Sequence, residues 1–375
     1  MNLFKVYPLF DVCPTHAKGC HVFGNDGKEY LDLYGGHAVI SIGHSHPAYI
    51  KAVNKQINKI GFYSNFIVND LQDLVAKKIK KMSGCENYEL FMCNSGAEAN
   101  ENSLQLASFH TSKSKIIAFK NSFHGRSNAA LSSTDYKKIK TKLNNQIDVT
   151  FLNFNDYFGL EKELSKNDVA AVIFESIQGV GGLDEPETKF VNYMSDLCSK
   201  FNTCLIADEV QSGFGRTGSF FAFQKHKIEP DIITMAKGMG NGFPVGGILI
   251  NKKIKSEFGM LGNTFGGNHL ACSAVISVLD TIVSEKLLKN SKDVEIYLRN
   301  KLEDIPLIKK IRGRGLMLGL EFKHDVYELR KKLIYEHQIF TGGCTKKNIL
   351  RILPPLNIKK EHIDTLHLAL KKELT

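Results

Sequence analysis

A chain of 375 residues has room for two or three domains and a large core. Hydrophobic residues make up 43% and charged residues 23%, which excludes intrinsic disorder, and no stretch approaches the roughly 18 apolar residues of a membrane-spanning helix. The net charge of +10 admits an anionic partner: nucleic acid, a membrane surface, or small molecules bearing phosphate or carboxylate.

The first residues, Met1 to Asp11, lack an apolar signal core. Cys13, Cys20, Cys85, Cys93, Cys198, Cys204, Cys272 and Cys344 form no C-x-x-C pair, so neither a disulfide framework nor a zinc site is expected, and the chain reads as cytoplasmic. Residues 17–34 predict a hairpin turning at 24–27 (Gly-Asn-Asp-Gly). Strands are predicted at 90–93, 116–119, 170–175, 204–209 and 247–250, all short apolar runs bounded by polar or Gly-rich turns, as in strands buried on both faces. Residues 97–109 and 189–200 carry helical apolar spacing. From 271 to 302 the chain reads as helical, followed by a strand at 315–322, a helix at 326–337 and a strand at 349–353. The fold class is therefore α/β. A large domain over 45–270 carries a mostly parallel central sheet, and 1–44 joins 271–375 in a smaller α+β domain. Ligands of such a sheet gather at the carboxyl ends of its strands.

The strongest chemical signal is Asp208-Glu-Val-Gln-Ser-Gly-Phe-Gly-Arg-Thr-Gly218, entered directly from a buried strand. Beyond it lies Ala236-Lys237-Gly238, a lysine among small residues, where desolvation favours a neutral, nucleophilic amine. An aspartate with a Schiff-base lysine is the pair that a pyridoxal phosphate site requires. Asn94-Ser-Gly-Ala-Glu-Ala-Asn100 opens a helix after a strand and supplies backbone N–H groups for a phosphate. Phe123 offers an aromatic face for the ring and Arg126 a guanidinium for a carboxylate. Gly262 to Asn268 is a Gly-rich loop with a hydroxyl at Thr264.

These stretches, with Arg312-Gly-Arg-Gly-Leu-Met317 and Arg351-Ile-Leu-Pro-Pro-Leu356, resemble the class III (ω-amino acid) aminotransferases of the fold-type I pyridoxal-phosphate enzymes, from about Tyr7 to Leu356. Within that class the likeness is strongest to the acylornithine aminotransferases; ornithine, GABA and diaminobutyrate aminotransferases share parts of the set. The resemblance implies an N-acetylornithine aminotransferase of arginine biosynthesis, working on 2-oxoglutarate and glutamate, with an N-succinylornithine or ornithine δ-aminotransferase as alternatives within the class and a non-catalytic binding protein of the same pyridoxal-phosphate fold as the alternative outside it. It implies that Lys237 carries the cofactor and shuttles the proton, and that Asp208 pairs with the pyridine nitrogen. Gln211 would lie near the phenolic oxygen and Phe123 on the ring. Ser95, Gly96 and Ala97 would serve the phosphate, which Thr264 would reach from the other subunit of a homodimer. Arg126 and Asn263 would contact the acylornithine, and Arg351 the α-carboxylate of glutamate.

One departure stands out. Relatives read Glu-Pro-x-Gln-Gly-Glu-Gly-Gly where this chain reads Glu175-Ser-Ile-Gln-Gly-Val180-Gly-Gly182. The second Glu neutralises the glutamate-binding arginine in the family, so Val180 predicts an Arg351 left free or paired otherwise, and a larger role for Arg126. Glu175 is expected to support the cofactor region. His37, His44 and His46 lack the accompanying ligands of a metal site, the 238–242 glycines lack a dinucleotide fingerprint, and the lysine clusters lack the interleaved aromatics of a nucleic-acid surface. No metal, nucleic acid or membrane is predicted.

Overall fold

The computed structural model describes residues 3–374. Its centre is a seven-stranded sheet in the order Tyr88–Cys93, Gly246–Asn251, Ile232–Met235, Cys204–Asp208, Val169–Glu175, Lys115–Phe119, Val149–Leu152. Gly246–Asn251 runs antiparallel to both its neighbours, and the remaining pairs are parallel. The five predicted strands are all present. Two more, Val149–Leu152 and Ile232–Met235, escape the reading because a threonine interrupts the apolar run of each.

Helices cover the sheet, which explains the continuous apolar runs. Every residue of Val169–Glu175 and Cys204–Asp208 is buried. Val172, Ile173 and Phe174 are fully withdrawn from solvent, and each such side chain stabilises the fold by about 1.5–3 kcal/mol. Register aligns the strand ends: Glu175 lies opposite Asp208, and Asp208 opposite Thr234. The strand predicted over 204–209 stops at Asp208. Glu209 instead turns inward, its carboxylate accepting from the backbone N–H groups of Ala222 (2.9 Å) and Phe223 (2.8 Å) and from the Ser212 hydroxyl (2.7 Å).

Both chain ends build the rest. The predicted hairpin consists of His21–Gly24 and Glu29–Asp32, extended by Pro14–Lys18 on one side and by Ile339–Phe340, parallel, on the other. The helical stretch after 271 is two helices, His269–Ser284 and Leu287–Leu302, divided at Lys286, whose φ of 53° cannot continue a helix. A three-stranded antiparallel sheet follows, formed by Lys310–Arg314, Met317–Glu321 and Ile349–Ile352, and the helix Lys360–Leu374 ends the described chain.

Candidate active site

At the carboxyl ends of the parallel strands lies a cavity of about 370 Å³. Ser95, Gly96, Ala97, Phe123, Arg126, Asp208, Gln211 and Lys237 line it, together with Glu175 and Val180. Residues scattered over more than 140 positions therefore meet in one place, because each follows a strand of the same sheet.

The helix Gly96–Thr111 begins at the cavity wall. Ser95 caps it, its hydroxyl accepting from the Glu98 N–H at 3.1 Å, and the first N–H groups have no partner within the helix. A Cβ on Gly96 would stand 2.5 Å from Val210, so only glycine lets this helix start approach the Asp208 segment. Sixteen aligned peptides place partial positive charge at that end, which suits a phosphate.

Asp208 is buried, and its Oδ2 accepts from His124 Nδ1 (2.7 Å) and Asn100 Nδ2 (2.8 Å), while Oδ1 accepts from the Val210 N–H (3.0 Å). These donors fix the orientation of the carboxylate in a dry site. Neither His124 nor Asn100 is singled out by the sequence as a site residue; Asn100 ends a quoted motif and His124 follows Phe123, but their partner lies 84 residues from His124 and 108 from Asn100. Glu175 accepts from the Phe123 N–H (3.0 Å) and the Gly179 N–H (2.9 Å), so it fixes both the aromatic face and the loop that carries Val180. Burial pushes its carboxyl up to about 7; the His124 charge opposes this and Asp208 adds to it.

Lys237 has a φ of 47°, a left-handed conformation that a lysine adopts at a cost of order 1–3 kcal/mol. Among the described residues its Nζ has no hydrogen bond or ion pair. Burial lowers its pKa from the ordinary lysine value, with Asp208 and Glu175 pulling the other way. An unpartnered amine, a fixed buried carboxylate, a free helix start and an aromatic face in one cavity fit pyridoxal phosphate. Arg126 is exposed on the cavity lining and is also without a hydrogen bond or ion pair among the described residues.

Arg351 lies behind the cavity wall, buried, with no carboxylate beside it among the described residues. Its Nε donates to the Gly343 carbonyl (2.6 Å), Nη1 to the Gly179 carbonyl (2.9 Å) and Nη2 to the Tyr34 hydroxyl (3.2 Å). Neutral oxygens thus stand where an acid was expected in relatives. Gln211 bridges the same region, donating to the His37 carbonyl at 3.3 Å. Asn263 and Thr264 do not reach this cavity. The Asn263 amide holds its own loop, donating to the Met92 carbonyl (2.9 Å) and accepting from the Gly266 N–H. Thr264 is exposed beside Phe265.

The family profile described as "Aminotransferase class-III" matches residues 5–374. The acetylornithine aminotransferase of Bacillus subtilis is 39% identical over 369 residues, covering 96% of this chain and 94% of that one. The acetylornithine aminotransferase of Methanocaldococcus jannaschii is 37% identical, covering 99% and 95%. Among solved structures, the ornithine aminotransferase of Toxoplasma gondii, described with pyridoxal phosphate partly occupying its active site, superposes with a TM-score of 0.90 at 28% identity, covering 98% and 90%. The chain belongs to the class III aminotransferases, a family of pyridoxal-phosphate-dependent enzymes.

Proposed function

We propose that the enzyme is an N²-acylornithine aminotransferase of arginine biosynthesis, moving the ω-amino group between N²-acetylornithine and 2-oxoglutarate. The observation that carries the substrate is the set of relatives at 37–39% identity over nearly the whole chain, all named for acetylornithine, against 28% for the ornithine aminotransferase structure. The free Arg126 guanidinium in the cavity suits the α-carboxylate of an acylornithine.

When bound, pyridoxal phosphate supplies an electron sink that weakens bonds at the carbon bearing the amino group. Lys237 is the residue that would attach it and move the proton at the reacting carbon, and the lowering of its pKa by burial favours that role. Asp208, held by His124 and Asn100, keeps a proton on the ring nitrogen. Gly96 and Ala97 bind the phosphate through backbone N–H groups, Ser95 caps their helix, and Phe123 covers the ring. Gln211 would lie near the phenolic oxygen. Arg351 takes the α-carboxylate of glutamate or 2-oxoglutarate, and Arg126 the distal carboxylate of either substrate.

The working form is a homodimer. Exposed Phe62, Tyr63, Phe66, Ile67 and Val68 form an apolar strip tied to the Thr264 loop, through the Phe62–Phe265 ring contact (5.5 Å) and Asn65 bonds to the carbonyls of Asn263 and Gly266. Burying that strip against a second copy brings Thr264 and Asn263 of one chain to the cavity of the other. The division into a large domain (45–270) and a small one (1–44 with 271–375) is part of the same reading, as is a cytoplasmic location, which eight free thiols favour.

The test compares N²-acetylornithine, N²-succinylornithine and ornithine as donors to 2-oxoglutarate, with the mass in solution measured alongside. The expected result is the highest kcat/KM with an acylornithine and a mass twice 41.9 kDa. Preference for free ornithine, or a monomer with full activity, contradicts the proposal.

A further inference from the structure

The segment Gly35–Ala38 winds as one left-handed turn beside Arg351. Its φ angles are 54° at Gly35, 54° at Gly36, 67° at His37 and 63° at Ala38. Two of the four residues have a Cβ and pay roughly 1–2 kcal/mol each for that conformation. The surroundings hold it there. Asp32 Oδ1 accepts from the N–H groups of Tyr34 (2.9 Å) and Gly35 (2.8 Å), and the Gln211 amide reaches the His37 carbonyl. Strain kept in place by two other segments calls for a purpose, and the side chains supply one.

Tyr34 accepts a hydrogen bond from Arg351 Nη2, so its own O–H is free to donate, and its nearest acceptor is His37 Nδ1. Although the residue meets solvent, partial burial of the His37 imidazole pushes it down to about 4, helped by the charges of Arg351, Lys237 and Arg330, so the ring is neutral at working pH. With Nδ1 accepting, the ring proton sits on Nε2. The chain Arg351–Tyr34–His37 therefore ends in a directed, uncharged donor close to a buried guanidinium with no carboxylate partner. His37 is exposed, so a ligand can reach it.

We propose that His37 is a specificity-determining residue: its Nε2–H, aimed by Tyr34, joins Arg351 in binding the α-carboxylate of the amino acceptor. Tyr34 is the positioning residue. The proposal rests on the reading of Arg351 as the α-carboxylate receptor, and it names what this chain uses around that arginine in place of an acid. Because the partners of Arg351 are neutral, no ion pair has to be broken before a dicarboxylate binds, and a second donor adds geometric selectivity.

The test uses His37→Gly, which removes the imidazole while relaxing the left-handed backbone, so the fold is not put at risk. His37→Gln restores an N–H donor, and Tyr34→Phe removes the aim. Calorimetry on the cofactor-loaded enzyme reads the affinity for glutarate, an unreactive dicarboxylate, and steady-state kinetics read KM for 2-oxoglutarate and for the amino donor separately. The expected result for His37→Gly is glutarate binding weakened about 5- to 20-fold, roughly the worth of one hydrogen bond to a charge, with KM for 2-oxoglutarate raised by the same factor. kcat and the donor KM stay within about twofold, Tyr34→Phe moves in the same direction, and His37→Gln recovers most of the loss. Unchanged glutarate affinity in His37→Gly overturns the proposal, as does an equal rise in both KM values or a Gln variant no better than Gly. Glutarate binding requires no turnover, so the result stands even if the preferred donor is not an acylornithine.

Discussion

Asp208 and Lys237 are legible as residues because their neighbours in sequence announce them: an acid leaving a buried strand, and an amine among glycines and alanine. Their partners are not, because Asn100 and His124 reach Asp208 only through the fold. Tyr34 and His37 were unreadable for the same reason: their meaning depends on Arg351, more than 300 positions away. His124 gives the sharpest test at this scale. Its Nε2 is buried without a partner, so Nδ1 and the bond to Asp208 carry its polar role in the described structure. In His124→Phe, one donor to a buried carboxylate is lost, a change worth about 1.5–3 kcal/mol. The expected outcome is a roughly 10- to 100-fold fall in kcat together with weaker cofactor retention, read by absorbance after dialysis. Wild-type kcat and retention would show that Asp208 does not depend on this bond.

Among the elements, the central strands are legible because both faces are covered, which makes the apolar run continuous. Val149–Leu152 was missed because it is an edge strand, three of its four residues only half-buried. Ile232–Met235 is fully buried but Thr234 interrupts its apolar run, although it is the strand that delivers Lys237. That Gly246–Asn251 runs antiparallel is not visible in its composition, since its burial resembles that of its parallel neighbours. The turn Ala222–His226 shows how packing between elements sets a pH limit. His226 Nδ1 lies 3.0 Å from the Thr188 hydroxyl at the start of helix Thr188–Lys200, and Nε2 is buried without a partner among the described residues. Burial, then the charges of Arg314 and Lys225, push its pKa down to about 4, with Glu185 opposing. The folded value lies below the unfolded one of about 6.5, so folding favours the neutral ring. That contribution is present above pH 6.5 and is lost as pH falls toward 4. Denaturant titrations should show wild type losing about 1–2 kcal/mol more than His226→Gln over this window. Parallel profiles for the two proteins would remove His226 from the account.

At the scale of the whole molecule, the net charge of +10 takes on a local meaning. Lys237, Arg126 and Arg351 are basic side chains without a carboxylate bonded to them among the described residues, the first two lining and the third lying behind one cavity suited to a phosphate-bearing cofactor and carboxylate substrates. The rest of the excess has at most a steering role. Both chain ends pack behind this cavity, where Arg351 from one end bonds to Tyr34 from the other and to the carbonyl of Gly179 on the lining, while the sheet supplies the floor. The overall α/β plan was open to a reading of periodicity alone, whereas the convergence of the ends depended on strand pairings such as Ile339 with Leu31. The central claim is that Lys237 turns this cavity into an acylornithine aminotransferase. Absorbance of the cofactor-loaded protein, titrated with N²-acetylornithine in the absence of any keto acid, tests it. Wild type should pass stoichiometrically from the aldehyde form of the cofactor to its amine form, and Lys237→Ala should lose at least about 1,000-fold in the rate of that change. A wild-type spectrum that ornithine shifts and acylornithines leave untouched, or a Lys237→Ala variant that converts at the wild-type rate, would contradict it.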